Sequence, residues 1–106
     1  MNKLIYVCSP YRGENVEDFR ANMRLARIAC RAVTQSGNIP IATHVYFPEF
    51  LEDDNLWERN RALEMGKVLL EKCDAIWVVT KHISKGMAGE IEKAKELGLE
   101  FVSYET

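Results

Sequence analysis

The sequence predicts an α/β fold in which a parallel sheet of four or five strands carries helices on both faces. Short apolar segments at residues 4–8, 39–42, 75–80 and 99–103 alternate with longer segments of helical character, the pattern of successive β–α–β units. The segment Leu4 to Cys8 is continuously apolar, as in a parallel strand covered on both sides. Since crossovers between parallel strands are right-handed, the alternation places helices on both faces.

The first strand is followed by a turn and a long helix. Pro10 and Gly13 punctuate the turn, Asn15 is placed to cap the helix, and residues 36–38 end it. Its predicted apolar face is Phe19, Met23, Ala26, Ile28, Cys30 and Val33. Arginines at positions 20, 24, 27 and 31 form one basic stripe, which we interpret as a solvated face rather than a nucleic-acid site.

The central part of the chain combines a short strand, a long loop and a second helix. Pro40 suits the start or edge of the strand at 39–42. The loop from Thr43 to Asn55 is rich in aromatic and acidic residues, and a loop of this length is typical of a functional segment, so we expect a lid or pocket wall. The second helix spans 56–72, and its apolar positions include Trp57, Leu63, Val68 and Leu69.

The last part of the chain predicts where a ligand would bind. A strand at 75–80 precedes a third helix from about Met87 to Leu97, which Gly98 ends, and then the final strand. If the first strand lies between the second and third, the sheet has its switch point between strands one and three. Residues 9–14 and 81–90 then meet in one crevice at the carboxyl ends of the strands.

Composition limits the classes of function. The 106 residues predict a single domain over 1–106, and the net charge of −2 gives no general attraction to nucleic acid or anionic membranes. The three cysteines are odd in number and lack metal-ligand spacing, so we expect free thiols, a reducing cytoplasm and no metal. No segment approaches the roughly 20 apolar residues of a membrane helix.

The turn Ser9-Pro10-Tyr11-Arg12-Gly13 is a candidate anion site. Backbone N–H groups near a helix N-terminus attract phosphate, and the Arg12 guanidinium would add two donors in a fork. The alternative is an ordinary turn with an exposed arginine.

The turn before the third helix is the second candidate. Ser84 and Gly86 would bring a hydroxyl and an unhindered amide to the crevice, followed by Met87, and Gly89 would allow a sugar or base close to Glu90. A carboxylate there can act as the nucleophile in cleavage of a glycosidic bond. The alternative is that Glu90 only stabilises its helix N-terminus.

Further polar and aromatic residues are less specific. His44 follows the second strand and could orient substrate or move a proton, although a lone loop histidine is more often structural. Asp53 and Asp54 could supply a general acid or simply solvate the loop. Base stacking has several candidates, some of which must belong to the core: Tyr6, Tyr11, Tyr46, Phe47 and Trp57.

Three segments together resemble the nucleoside 2-deoxyribosyltransferase-like family: Tyr6 to Gly13, Thr43-His44-Val45, and Cys73-Asp74 through Ser84-x-Gly86 to Glu90. The similarity follows the order of elements over nearly the whole chain. It looks closest to the branch that holds the 2′-deoxynucleoside 5′-monophosphate N-glycosidases and small related domains of phages and bacteria.

The resemblance implies a Rossmann-like or flavodoxin-like domain that needs no cofactor, binds a small nucleoside or nucleotide, and forms a homodimer or higher homo-oligomer. Glu90 would attack the anomeric carbon of the deoxyribose. Residues of the first loop (Ser9, Pro10, Tyr11, Arg12 and Gly13) and of the second (Ser84, Gly86 and Met87) would bind substrate, and His44 would lie near the sugar or base.

One position departs from the family pattern. Active members usually carry an aspartate about two turns upstream of the position held by Asp74, where this chain has Gly66. Glu64 is two residues away and faces elsewhere on the helix. Catalysis would then recruit Asp53, Asp54 or His44, or the chain would bind a nucleotide to sense or sequester it without chemistry.

Overall fold

The protein is described by a computed structural model of residues 1–106, which contains a four-stranded parallel sheet. The strands are β1 (Leu4–Cys8), β2 (Ile39–Ile41), β3 (Ala75–Val78) and β4 (Glu100–Phe101), in the spatial order β2-β1-β3-β4. Ile5 pairs with Pro40 on one side and with Ala75 on the other. The predicted fold class and the switch point between β1 and β3 are therefore confirmed.

The helices are α1 (Val16–Gln35), α2 (Thr43–Tyr46), α3 (Leu56–Lys72) and α4 (Lys85–Leu97), with a 3₁₀ turn at Phe47–Glu49. Side-chain caps begin the three long helices: Asn15 accepts from the Asp18 amide, Asn55 from that of Glu58 and Ser84 from that of Met87. Gly98 ends α4 in the left-handed conformation, with φ of 71°. None of the helices combines the length and the apolar character that spanning a membrane requires.

Two apolar cores cover the two faces of the sheet. On one face, Ile5, Val7 and Trp77 pack against Ala29 and Val33 of α1. On the other face lie Tyr6, Cys8 and Ile76, which pack against Leu70 of α3 and against Met87 and Ala94 of α4. The alternation of side chains along β1 thus sends Tyr6 and Cys8 to the side where α4 begins.

Several local predictions were wrong. Residues 43–55 are not simply a loop, because α2 and the 3₁₀ turn occupy residues 43–49. The α1 face that packs on the sheet consists mainly of alanines at 26, 29 and 32, whereas Ile28 is 51% exposed. On α3, Trp57 is 70% exposed, and Leu63 and Val68 are also exposed. Small side chains let α1 lie close to the sheet. The prediction relied on the spacing of large apolar residues, and this spacing does not reveal a face made of alanines.

Candidate functional site

A cavity of about 810 Å³ lies at the predicted crevice. It is bounded by the loops that follow β1 and precede α4, by residues of the segment 43–53, and by one side of α3. The topology therefore brings together Arg12, Gly13, Ser84, Gly86 and Glu90, although they come from opposite ends of the chain. A volume of this size is typical of a small-molecule site.

Glu90 is held by two donors on β1. The Tyr6 hydroxyl donates to Oε2 of Glu90, and the Cys8 thiol lies 3.6 Å from Oε1. Because Tyr6 and Cys8 are two residues apart on one strand, both point to the same face and meet the carboxylate that α4 delivers. We call Tyr6 and Cys8 the carboxylate clamp. The sequence predicted Tyr6 only as a stacking or core residue, and Cys8 was not among the predicted site residues.

Burial and hydrogen bonding act in opposite directions on Glu90. Desolvation raises the pKa of its carboxyl above the usual value, while the hydrogen bonds from Tyr6 and Cys8 lower it, and the net shift is upward. Desolvation, followed by the charge of Glu90, also raises the pKa of both Tyr6 and Cys8. Both clamp residues therefore stay protonated as donors, and Glu90 is the group of the three that changes charge.

Tyr6 is linked to the helical segment that follows β2. The Thr43 hydroxyl lies 3.4 Å from the Tyr6 hydroxyl, and both residues are buried. Thr43 was not among the predicted site residues. Its position two residues after the end of β2, at the same sheet edge as the two predicted loops, is the signal that would have found it.

The first loop closes part of the cavity with an ion pair. Arg12 contacts Asp53 through its Nη2 and the Oδ2 of the aspartate, so the segment after β1 is joined to the one after the 3₁₀ turn. Gly13 has a φ of 70°, and a Cβ there would lie 2.3 Å from Cβ of Asp18, so the turn requires glycine. The guanidinium predicted to hold phosphate is thus already paired with a carboxylate.

Tyr11 and His44 form an aromatic wall of the cavity. Their ring centroids are 4.9 Å apart with an interplanar angle of 31°. Burial lowers the pKa of His44, opposed by a hydrogen bond to the backbone of Ser9, so the imidazole is neutral at pH 7. Pro10 also lines the cavity, whereas Ser9 does not: Ser9 is 1% exposed, and its hydroxyl has no hydrogen-bond partner.

In the second loop, Ser84 has a structural role, since its hydroxyl oxygen accepts the Met87 amide at 3.2 Å. Its hydroxyl hydrogen remains available to a ligand. Cβ atoms built at Gly86 and Gly89 would meet no atom within 4 Å, so both positions leave open space in front of α4. Met87 borders the cavity but is buried in the core. Asp74 of the recognised motif is also structural, because it accepts the Leu4 amide at 2.8 Å.

Gly66 faces the site from α3. A Cβ at this position would lie 3.9 Å from the Tyr6 hydroxyl and 4.0 Å from Cγ2 of Thr43. The position at which the resemblance implied an aspartate therefore faces the clamp, and this chain has glycine there. The structure contains no group of three or more His, Cys, Asp or Glu residues arranged to hold a metal ion, so we assign no metal ligands.

Comparisons with known proteins agree with this architecture. The sequence profile of a family described as "Domain of unknown function (DUF7768)" matches residues 3–104. A solved structure of 2-deoxyribosyltransferase from Bacillus psychrosaccharolyticus superimposes with a TM-score of 0.74 and 15% sequence identity, over 92% of this chain and 69% of that one. No curated protein sequence matches significantly. At this identity the structural match establishes a shared fold.

Proposed function

The chain belongs to the DUF7768 family, and we propose that it cleaves, or transfers across, the N-glycosidic bond of a deoxynucleoside or deoxynucleoside 5′-monophosphate. The observation that carries this proposal is the half-buried Glu90, held by the carboxylate clamp at the wall of a cavity of about 810 Å³, a volume typical of small-molecule sites. The fold shared with a 2-deoxyribosyltransferase supports the same substrate class. The motifs of the first and second loops also support this substrate class, because they resemble those of the branch that holds the 2′-deoxynucleoside 5′-monophosphate N-glycosidases.

The proposed chemistry is a double displacement at C1′ of the sugar. An oxygen of ionised Glu90 attacks C1′ while the bond to the base breaks, and the base leaves with the electron pair and takes up a proton. Water, or a second base, then attacks C1′, loses its proton and releases Glu90. Each step passes through a centre with oxocarbenium character, which a nearby carboxylate stabilises.

The environment of Glu90 suits such a nucleophile. Desolvation raises its pKa, and a more basic carboxylate is a better nucleophile once ionised. The hydrogen bond from the Tyr6 hydroxyl orients the group, so less entropy is lost on reaching the reactive geometry. Tyr11 and the neutral His44 provide an aromatic wall against which a base could stack, at a value of about 1–3 kcal/mol per stacked base.

Product analysis tests the proposal. The purified protein is incubated with a panel of deoxynucleosides and their 5′-monophosphates, and the released base is measured by chromatography. We expect release by the unaltered protein and by Glu17→Gln, which changes an exposed glutamate in α1, and none by Glu90→Gln. No release at high protein concentration, or equal release by Glu90→Gln, would reject the proposal.

Gly66 favours a second candidate, a domain that binds a nucleotide without cleaving it. The space opposite the clamp has no carboxylate to assist the chemistry, and losing one member of a cooperating site commonly costs several decades of rate. Calorimetry separates the candidates: tight binding of a nucleotide that is recovered intact, and that survives Glu90→Gln, supports binding alone. If catalysis is merely slow, Gly66→Asp should accelerate base release, whereas Gly66→Ala should not.

We further propose that the chain forms a homodimer or higher homo-oligomer and acts in the cytoplasm. The exposed aromatic side chains of Tyr46 and Phe50, whose ring centroids are 5.0 Å apart, support self-association, because exposed apolar patches commonly mark interfaces. Three free cysteines support a reducing compartment. Light scattering should give a mass above that of one chain, and Phe50→Lys should reduce it.

A further inference from the structure

Cys8 is the member of the clamp that the proposed chemistry does not yet use. It is 0% exposed, and its thiol has two acceptors in reach, Oε1 of Glu90 at 3.6 Å and the Met87 carbonyl at 4.0 Å. The carboxylate is the nearer acceptor and the only charged one. Tyr6 holds the other oxygen of the same carboxylate, so both oxygens of Glu90 face donors from one strand.

We propose that Cys8 is a positioning residue for Glu90, whose thiol orients Oε1 while Tyr6 orients Oε2. Two donors at a spacing of two residues fix the plane of the carboxylate, which one donor alone would leave free to rotate. The claim that this orientation serves catalysis rests on the proposed function, whereas the hydrogen bond itself does not.

The choice of a thiol has a physical consequence. An S–H group is a weak donor, so it orients the oxygen without strongly withdrawing its lone pairs. The oxygen of a serine at this position would have to move closer to Oε1 than the sulfur does; a hydroxyl in that position is a stronger donor, which would stabilise the carboxylate and make it less reactive. Because burial and the charge of Glu90 both raise the pKa of Cys8, its thiol remains protonated and acts as a donor, not as a nucleophile.

Titration of Glu90 tests the contact without reference to activity. The pKa of its side-chain carboxyl is followed by carbon NMR, assigned by its absence in Glu90→Gln, in Cys8→Ala, Cys8→Ser and the matched control Cys73→Ala. Cys73 also has a buried thiol, but it donates to the Leu69 carbonyl at 3.2 Å, away from Glu90. We expect the pKa of Glu90 to rise in Cys8→Ala, to fall in Cys8→Ser and to be unchanged in Cys73→Ala.

A purely structural Cys8 would give a different result. Both Cys8 variants would then alter the denaturation midpoint and leave the Glu90 titration where it is, which would overturn the proposal. If the Cys8 variants do not fold, the S–H stretching band of Cys8 is measured by infrared in the otherwise unaltered protein, with Cys30→Ala and Cys73→Ala identifying the other two bands. That band should move to higher frequency in Glu90→Ala, and an unchanged band would also overturn the proposal.

Activity supplies the catalytic part of the test. Relative to the unaltered protein, we expect kcat to fall about fivefold in Cys8→Ala, the rate equivalent of one net hydrogen bond, with KM little changed. Cys8→Ser should be slower than Cys8→Ala, although it is the closer substitute in shape, and the reverse order would refute the need for a weak donor. If no base is released by the unaltered protein, the proposed function and the catalytic role fail together, while the titration still decides whether Cys8 positions Glu90.

Discussion

Replacing Tyr6 by phenylalanine should destabilise the protein by an amount that depends on pH. Tyr6 is 1% exposed, and the substitution removes only its hydroxyl, which is the donor to Oε2 of Glu90. A hydrogen bond to a charged group contributes about 1.5–3 kcal/mol, whereas one between neutral groups contributes about 1 kcal/mol. Where Glu90 is ionised, we therefore expect Tyr6→Phe to cost about 1.5–3 kcal/mol.

The cost should decrease in acid. Below the ordinary carboxyl value of 4.5, Glu90 is protonated in the folded and the unfolded protein, and the lost interaction is between neutral groups. The expected cost is then about 1 kcal/mol. Both figures are fractions of the roughly 5–15 kcal/mol that stabilises a domain of this size, so the variant should fold.

Urea denaturation at pH 7 and at pH 3.5 measures both values. Tyr104→Phe is the matched control, because its hydroxyl pairs with the neutral amide of Asn38 at 3.1 Å, and its cost should be similar at the two pH values. In a Glu90→Ala background, Tyr6→Phe should cost about 1 kcal/mol or less at pH 7. If Tyr6→Phe costs the same free energy at both pH values and in both backgrounds, the Tyr6 hydroxyl does not stabilise the charged form of Glu90, and the reasoning is wrong.

Three further predictions concern charge and packing at the same cavity. The pKa of Glu90 is raised in the folded state, so its carboxyl lowers the free energy of unfolding as pH rises from 4.5 through that raised value. Glu90→Gln should therefore raise the free energy of unfolding at pH 7 more than at pH 4, which urea titrations would measure. Asp53→Asn frees Arg12 from its ion pair, so the affinity for a deoxynucleoside monophosphate should increase about tenfold, while that for the free nucleoside should change little. Calorimetry measures both affinities, and equal gains for the two ligands would contradict this prediction. Gly66→Ala should raise the free energy of unfolding by about 0.5–1 kcal/mol, because alanine favours the helix and its methyl group fits at ordinary contact distances. Urea denaturation measures this change, and a loss of stability would show that the space is not available.

The arrangement of the sheet followed from the sequence because the signals were local and mutually consistent. The continuous apolar run Leu4 to Cys8 identified a strand covered on both faces, and alternation with helices fixed the parallel order. Caps at Asn15 and Gly98 gave two of the helix boundaries. Once β1 was placed centrally, the meeting of residues 9–14 with Glu90 was a consequence of topology.

What escaped prediction depends on three-dimensional neighbours. Nothing local in the sequence joins Arg12 to Asp53, because the pair spans two loops that are brought together only by packing. Side chains alternate between the two faces of a strand, so the sequence predicts that Tyr6 and Cys8 share one face of β1. It does not predict how close α4 brings Glu90 to that face, and the clamp depends on this distance. The exposure of Trp57 likewise depends on which side of α3 meets the sheet.

The proposed mechanism requires a covalent bond between Glu90 and the sugar. Base release is started with the preferred deoxynucleoside or monophosphate, quenched in acid within the first turnovers, and the peptide that contains Glu90 is analysed by mass spectrometry. This peptide should gain the mass of one deoxyribosyl or deoxyribosyl-phosphate group in the unaltered protein and not in Glu90→Gln. Base release with no adduct on that peptide, or with the adduct on another residue, would contradict it.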